Sequence, residues 1–333
     1  MMDRADIQGI PTEQGSTEMQ YQLYGLVIAS HNLFLGEISI GNREVDVQVR
    51  SIFPSGPPPS PSNWFMNWTL LGGEEWLSCA KTEGGYLLRF NELADFTIDR
   101  NGREIVCMPR SGIPEDTIQH LLLDQVIPLV INLRGGETLH ASAILTSHGV
   151  VAFAGPAGSG KSTITASLLK MGYPFVSDDC LSLQERDQKI YAIPAYPGLR
   201  LWKDAEAHLF GDNGNKKSVA HYTSKLRVDI EERPESYSPT PKPFVRLYNI
   251  TNSPETDETS DIMIEKLSPR DSFMALVRCA FRLDITDQKM LARQFHFLKR
   301  LAARISVRRL SFPRKFDLLP ALQEAILKDL SCA

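Results

Sequence analysis

The sequence predicts an α/β fold: a central mixed sheet flanked by helices, with a smaller β-rich module at the N-terminus. Three observations predict it. The buried-strand run "GVVAFAG" leads through a glycine-rich turn into the helical run "STITASLLKMG", which closes at Gly172. The strand "PFVS" follows directly and completes a strand–helix–strand unit. Ahead of residue 112, short β-like runs alternate instead with Gly, Pro and Asn punctuation. The expected organisation is a flexible tail over 1–20, a β-rich module over 21–111 and an α/β domain over 112–333.

The elements follow in order. "YQLYGLVIAS" reads as a first strand, and "EISIGNREVDVQVRSIF" as a hairpin about Gly41-Asn42. "PSGPPPSPSN" is a Pro/Ser-rich surface loop. "GGYLLRFNELADFTIDRNGREIVCMP" reads as two strands about Asn101-Gly102. Apolar residues then recur at helical spacing through Ile118, Leu121, Leu122, Val126 and Leu129, and Gly135-Gly136 ends that helix. After the central unit, "KIYAIPAYPGLRLWKDAEAHLF" reads as strand, Pro-Gly turn, strand and helix. "GDNGNKKSVAHYTSK" is expected to be mobile. "FVRLYNIT" and "IMIEKL" are strands around an acidic loop, and "SPRDSFMALVRCAF" is a helix capped by Ser268 with Pro269 at its first position. A further helix, the strand "SVRRLSF" and a final helix complete the chain.

Composition narrows the function classes. With 42% hydrophobic and 23% charged residues in 333, the chain can bury a sizeable core. A net charge of −4 provides no basic field for nucleic acid or an anionic membrane, and "KRLAARISVRR" reads as a solvated helix face. No run is long and apolar enough to span a bilayer, and the first residues lack a signal-peptide core, so the expected location is the cytoplasm. The 5 cysteines are widely spaced without a C-x-x-C pair, which argues for reduced, mostly buried thiols and against a disulfide framework or zinc site. Oligomeric state is open, a homo-oligomer included.

The chemistry concentrates in one stretch. Gly155-Pro-Ala-Gly-Ser-Gly-Lys161-Ser162 fits the phosphate-loop pattern. Gly155, Ala157, Gly158, Ser159, Gly160, Lys161, Ser162 and Thr163 are the residues expected to cradle a nucleotide's phosphates. Lys161 reaches the β and γ oxygens, and Ser162 offers a hydroxyl to Mg²⁺. A strand–helix–strand crossover is right-handed and parallel, so "PFVS" should end on the same sheet edge as "VVAFA". That places Asp178 and Asp179 beside the phosphates. One carboxylate can hold Mg²⁺ and the other can take a proton from an attacking hydroxyl. His140, just before the feeding strand, is by its pattern alone a core histidine or a catalytic one.

"LHAS", "GPAGSGKST" and "SDD", in that order, resemble the HPr kinase/phosphorylase superfamily, related in its core to ATP-dependent phosphoenolpyruvate carboxykinases. Tyr24-Gly25-Leu26, Tyr196 to Trp202, Lys225 to Arg227 and Leu310 to Arg314 extend the resemblance towards the HPr-kinase-like serine kinases of small modified-peptide pathways such as lasso peptides. The resemblance implies a P-loop kinase domain using ATP and Mg²⁺ on a serine, the C-terminal one included, of a small peptide or protein. It implies Asp178 as base, and Asp179 as a metal ligand with Ser162 and a partner of His140. Arg200, Lys203, Lys225 and Arg227 become candidates for binding substrate or neutralising the transferred phosphate. The Gly-Arg-Asn signature of HPr kinases proper, with its apolar β-rich sequel, has no counterpart here, and the N-terminal module is unlike theirs. An HPr kinase/phosphorylase is therefore the second reading and a nucleotide-driven ATPase or switch the third. A fourth, a scaffold that merely holds nucleotide, leaves the intact Lys161, Ser162 and aspartates without a purpose.

Overall fold

The computed structural model describes residues 18–31, 33, 35, 43–53, 60–61, 63–70, 72–211, 216–230, 236–251 and 261–332. The N-terminal sheet has eight strands: β1 (Met19–Leu23), β2 (Leu26–Ser30), β3 (Val47–Ser51), β4 (Trp64–Thr69), β5 (Glu75–Lys81), β6 (Gly85–Phe90), β7 (Ala94–Asp99) and β8 (Glu104–Pro109). Their spatial order is β1-β2-β3-β8-β7-β6-β5-β4.

Three expectations change here. "YQLYGLVIAS" is not one strand but the hairpin β1–β2, because Tyr24 and Gly25 both have positive φ, 56° and 78°. Such a two-residue turn matches the twist of its strands. The hairpin foreseen about Gly41-Asn42 lies outside the described residues. Its second arm, β3, pairs parallel with β2 and β8. The run before Asn101 holds two strands, since the chain reverses at Asn91–Leu93, with Glu92 at φ 58°. The Asn101-Gly102 turn does join β7 to β8. The Pro/Ser-rich loop and the acidic loop lie largely outside the described residues.

The long helix forms as α1 (Glu115–Leu121) and α2 (Ile127–Leu133), joined by a wider π turn over Leu122–Val126. Its apolar stripe, Ile118, Leu121, Leu122, Val126 and Leu129, packs into the core of the N-terminal sheet with Phe90, Phe96 and Ile105.

The second sheet carries the glycine-rich loop and the aspartate pair. Its strands are β9 (Glu137–Leu139), β10 (Ala141–Thr146), β11 (Gly149–Ala154), β12 (Phe175–Ser177), β13 (Leu181–Arg186) and β14 (Lys189–Ile193), with α3 (Lys161–Lys170) between β11 and β12. Next come β15 (Gly198–Trp202), α4 (Lys203–Phe210), β16 (Lys216–Ser218), β17 (Lys225–Asp229), β18 (Lys242–Ile250), β19 (Met263–Lys266), α5 (Pro269–Cys279), α6 (Gln288–Arg304), β20 (Ser306–Ser311) and α7 (Leu319–Ser331). The order is β12-β10-β11-β18-β14-β13-β9, and β20 pairs with both β18 and β19.

Strand β12 runs parallel to β11 as expected, but β10 is inserted between them, antiparallel to both. β18 and β20 are also parallel to β11 in direction. Four carboxyl ends, at Ala154, Ser177, Ile250 and Ser311, therefore share one edge, where open α/β sheets bind ligands. The sheet is covered on both faces, which explains why "GVVAFA" is apolar throughout. Val151 and Phe153 meet α3 and α7, whereas Val150, Ala152 and Ala154 meet α5 and α6. β15, β17 and β16 form a third, small sheet beside this edge. Of the segment expected to be mobile, 212–215 lie outside the described residues, and Lys216–Ser218 pair with β17.

The Ser268 cap is observed, accepting from the Asp271 amide. The basic C-terminal run is a paired surface: Arg300 and Arg304 both bind Glu185, Arg308 binds Asp329 and Arg309 binds Glu265. Among the described residues no helix is long and apolar enough to cross a membrane.

Candidate active site

The glycine-rich loop lies between the end of β11 and α3. A Cβ on Gly155 would come within 2.9 Å of the Ile250 carbonyl oxygen, so the loop must leave the sheet through a glycine. Gly160, at φ 99°, caps α3 in a conformation that other residues rarely adopt. The first amides of α3 have no acceptor within their own helix. They face a cavity of about 500 Å³ that Ala157, Gly158, Gly160, Lys161, Ser162 and Thr163 help to line. Lys161 is 6% exposed, and its Nζ donates to the Gly155 and Pro156 carbonyls at 3.0 and 3.2 Å. Burial holds its pKa below the usual 10.5. The hydroxyl of Ser159 is buried and has no hydrogen-bond partner among the described residues.

The aspartates sit in a tight turn after β12. The Cys180 amide donates to the Asp178 carbonyl at 2.8 Å, across Asp179 at φ 61°. A non-glycine residue in that region costs about 1–3 kcal/mol, and such strain gathers at functional sites. The turn splits the pair. Asp178 points inwards: its Oδ1 accepts from Ser142 Oγ and, at 2.9 Å, from Ser162 Oγ, and its Oδ2 accepts from the Arg200 amide at 3.0 Å. Asp179 lines the cavity with its side chain 18% exposed.

Their acidities diverge. Burial, reinforced by the Asp179 charge, raises the pKa of Asp178 above 3.8. Burial pushes Asp179 upwards too, but Arg200, His140, Lys225 and Lys161 outweigh it and hold the carboxyl well below its usual range. Both carboxylates thus stand beside Lys161 and Ser162, as the crossover argument requires. Ser162, however, meets Asp178 rather than Asp179.

His140 lines the same cavity. Its Nδ1 is 3.1 Å from the Asp179 carbonyl oxygen, an acceptor, so Nδ1 carries the proton. The tie to Asp179 therefore runs through the main chain. Burial lowers the pKa of His140 below 6.5.

The four basic candidates part company. Lys225 lines the cavity, with Nζ 5.5 Å from the centroid of the Trp202 ring. Lys203 is exposed at the start of α4 and Arg227 lies over Tyr196, bonded to Gln119 at 2.9 Å; neither lines the cavity. Arg200 borders the cavity but is 1% exposed and occupied from within. It pairs with Asp124, approaches Asp179 at 3.5 Å and Asp178 at 4.0 Å, and donates to the Asp178 carbonyl at 3.2 Å. Arg200 thus holds the aspartate turn in place.

Sequence reasoning missed Asp124, which lies in the π turn and also accepts from Tyr196 Oη at 3.4 Å and pairs with His120 at 2.7 Å. The signal was a carboxylate interrupting the apolar stripe, four residues after a histidine. It missed Ser142 as well, although "LHAS" contains it. Arg314, whose Nη1 donates to the Gly158 carbonyl at 2.8 Å, closes the Leu310–Arg314 segment but was given no role.

No protein-family model matches the chain, and no curated protein matches it. Among solved structures, the HPr(Ser) kinase/phosphatase from Coxiella burnetii aligns with 58% of this chain and 95% of its own, at 12% identity and a TM-score of 0.31. A likeness of that size decides neither fold nor chemistry.

Proposed function

We propose that the protein transfers the γ-phosphoryl group of ATP, with Mg²⁺, to a serine hydroxyl of a small peptide or protein. The observation that carries this reading is the Ser162–Asp178 hydrogen bond, 2.9 Å, which joins the phosphate loop to a paired carboxylate. Binding nucleotide requires the loop alone. Transfer also requires a base and charge neutralisation, and His140, Asp179, Lys161 and Lys225 line the same cavity.

The residues fit both groups. A Cβ on Gly158 would meet nothing within 4 Å, so the loop is open on its ligand side. The described residues contain no group of three or more His, Cys, Asp or Glu able to hold a metal. One hydroxyl and a carboxylate pair suit Mg²⁺, which takes few protein ligands and completes its shell with phosphate oxygens and water. The resemblance assigns it to Ser162 and Asp179, although the Ser162 hydroxyl here donates to Asp178, and once held it would neutralise charge developing on the phosphates.

Asp178 is assigned as the base. Its raised pKa suits proton abstraction and it bonds Ser162 of the loop, but its side chain is 0% exposed and outside the cavity lining, so the acceptor hydroxyl has to reach it past Ser162. Lys161 would turn from the loop carbonyls to the γ-phosphate. Neutral His140 holds the Asp179 carbonyl and so the turn. The serine acceptor and a lasso-peptide-type precursor rest on the sequence resemblance to HPr-kinase-like serine kinases, not on the geometry.

The test incubates the protein with ATP, Mg²⁺ and either a candidate precursor peptide or HPr, and reads intact mass. A gain of one phosphate on a peptide serine, abolished in Lys161→Ala, is the expected result. A gain on HPr favours the HPr kinase reading. ATP hydrolysis without transfer to either favours the ATPase or switch, and retained transfer in Lys161→Ala overturns the loop assignment.

A further inference from the structure

The cavity has a second character beyond the transfer groups. Ile164, Ala205, Phe312 and Leu319 line it and belong to one apolar cluster, against which Phe316 packs. These residues come from three places: the first turn of α3, the start of α4 and the segment that follows β20. None of these carries a charge, although Asp204, Arg314 and Lys315 from the same segments also line the cavity, while Lys161, Asp179, His140 and Lys225 gather where the γ-phosphate would lie.

The direction of a bound nucleotide follows from the loop. Lys161 reaches the β and γ oxygens, and the loop amides cradle the α and β phosphates. The nucleoside must therefore leave on the side away from the Lys161 amine. The apolar wall is continuous with the loop there. Phe312 lies 3.6 Å from where a Gly160 Cβ would stand, and Arg314 ties the same segment to the Gly158 carbonyl at 2.8 Å.

Phe316 has the form of a platform. It is half-buried and lines the cavity, and the ring of His208 stacks on it at 4.6 Å between centroids and 14° between planes. The stack sets the plane of the phenyl ring before any ligand arrives. Trp202, 45% exposed, stands at the lip of the cavity.

We propose that Phe312, Phe316, Leu319, Ile164 and Ala205 form a nucleobase subsite in which the base stacks on Phe316. This rests on the phosphate-loop reading and adds where the base is held. Aromatic stacking tolerates any base, because every base offers a π-face. The subsite therefore supplies affinity for the nucleoside without selecting one purine over another.

Calorimetric titration with Mg·ATP and with Mg·tripolyphosphate, which has the phosphates and no base, tests the proposal. Wild-type protein should bind ATP more tightly than tripolyphosphate. Phe316→Ala should weaken ATP about tenfold or more, the usual scale for one lost base stack, and leave tripolyphosphate unchanged. Phe316→Trp should restore ATP binding, which separates stacking from a folding defect. Equal wild-type affinity for the two probes, or unchanged ATP binding in Phe316→Ala, overturns the subsite while leaving the loop intact. Equal weakening of both probes in Phe316→Ala assigns the residue to loop structure and also overturns it. If wild-type protein binds neither probe, the phosphate-loop reading falls and the subsite with it.

Discussion

Replacing Arg200 with methionine removes the one guanidinium that three carboxylates share. The side chains of Arg200, Asp124 and Asp178 are 1%, 2% and 0% exposed, so water cannot compensate for the loss. Removing one partner of a buried pair costs about 3–5 kcal/mol, because the other charge stays buried and unpaired. At about 2 °C per kcal/mol for a chain of this size, Tm should fall by about 6–10 °C. Arg304→Met is the control. Its pair with Glu185 is 29% and 26% exposed, and a pair that open is worth about 1 kcal/mol or less. A second readout separates positioning from bulk stability. Arg200 lowers the pKa of Asp178 against burial, so without it Asp178 should titrate higher still. Urea unfolding, thermal melts and a carbon-13 titration of the Asp178 carboxyl would measure all three effects. A stability within 1 kcal/mol of wild type, or an unmoved Asp178 titration, would refute the reasoning.

The aspartates should separate by variant. Asp178→Asn should retain ATP binding and lose transfer by about 10² or more, as for a lost base; a loss of binding instead would make Asp178 a metal or structural group. Because the folded pKa of Asp178 is raised, its ionisation costs stability as pH climbs from 3.8 to that folded value. The stability of Asp178→Asn relative to wild type should therefore increase across that window, and unfolding curves at several pH values check it. Asp179 has the opposite sign: its depressed pKa contributes stability above 3.8 that is lost as pH falls through the folded value, so Asp179→Asn should remove that acid-side loss. Gly160→Ala should destabilise by about 1–3 kcal/mol and weaken ATP, through φ 99° rather than a clash, since the nearest atom to its Cβ is 3.6 Å away. Unfolding and ATP titrations that match wild type would mean the loop tolerates another backbone path.

How much of this was legible depended on sequence distance. The loop, α3 and β12 follow one another within Gly155 to Ser177, so local pattern and crossover handedness sufficed to place Asp178 and Asp179 beside Lys161 and Ser162. The Ser268 cap and the Asn101-Gly102 turn were legible for the same reason: their chemistry lies within a few residues. The β1–β2 hairpin was not, because Tyr24 occupies a left-handed position that its side chain does not advertise. Nor was the role of Arg200, which as a basic residue near a strand end read as a substrate contact until Asp124, 76 positions away, was seen against it.

By itself the sequence determined which chemical groups the chain offers. A glycine-rich loop before a helix can accept phosphates because backbone geometry and unpaired amides are local properties, and two adjacent aspartates supply carboxylates wherever the chain goes. Tertiary structure alone decided how those groups are divided. It turned Asp178 inwards onto Ser142 and Ser162 and Asp179 towards the cavity, placed a buried arginine and a distant π turn behind them, and brought Phe312, Arg314 and Phe316 from beyond β20 against the loop. Those arrangements depend on burial and on charges brought together across the chain, and neither is a property of any short stretch of residues.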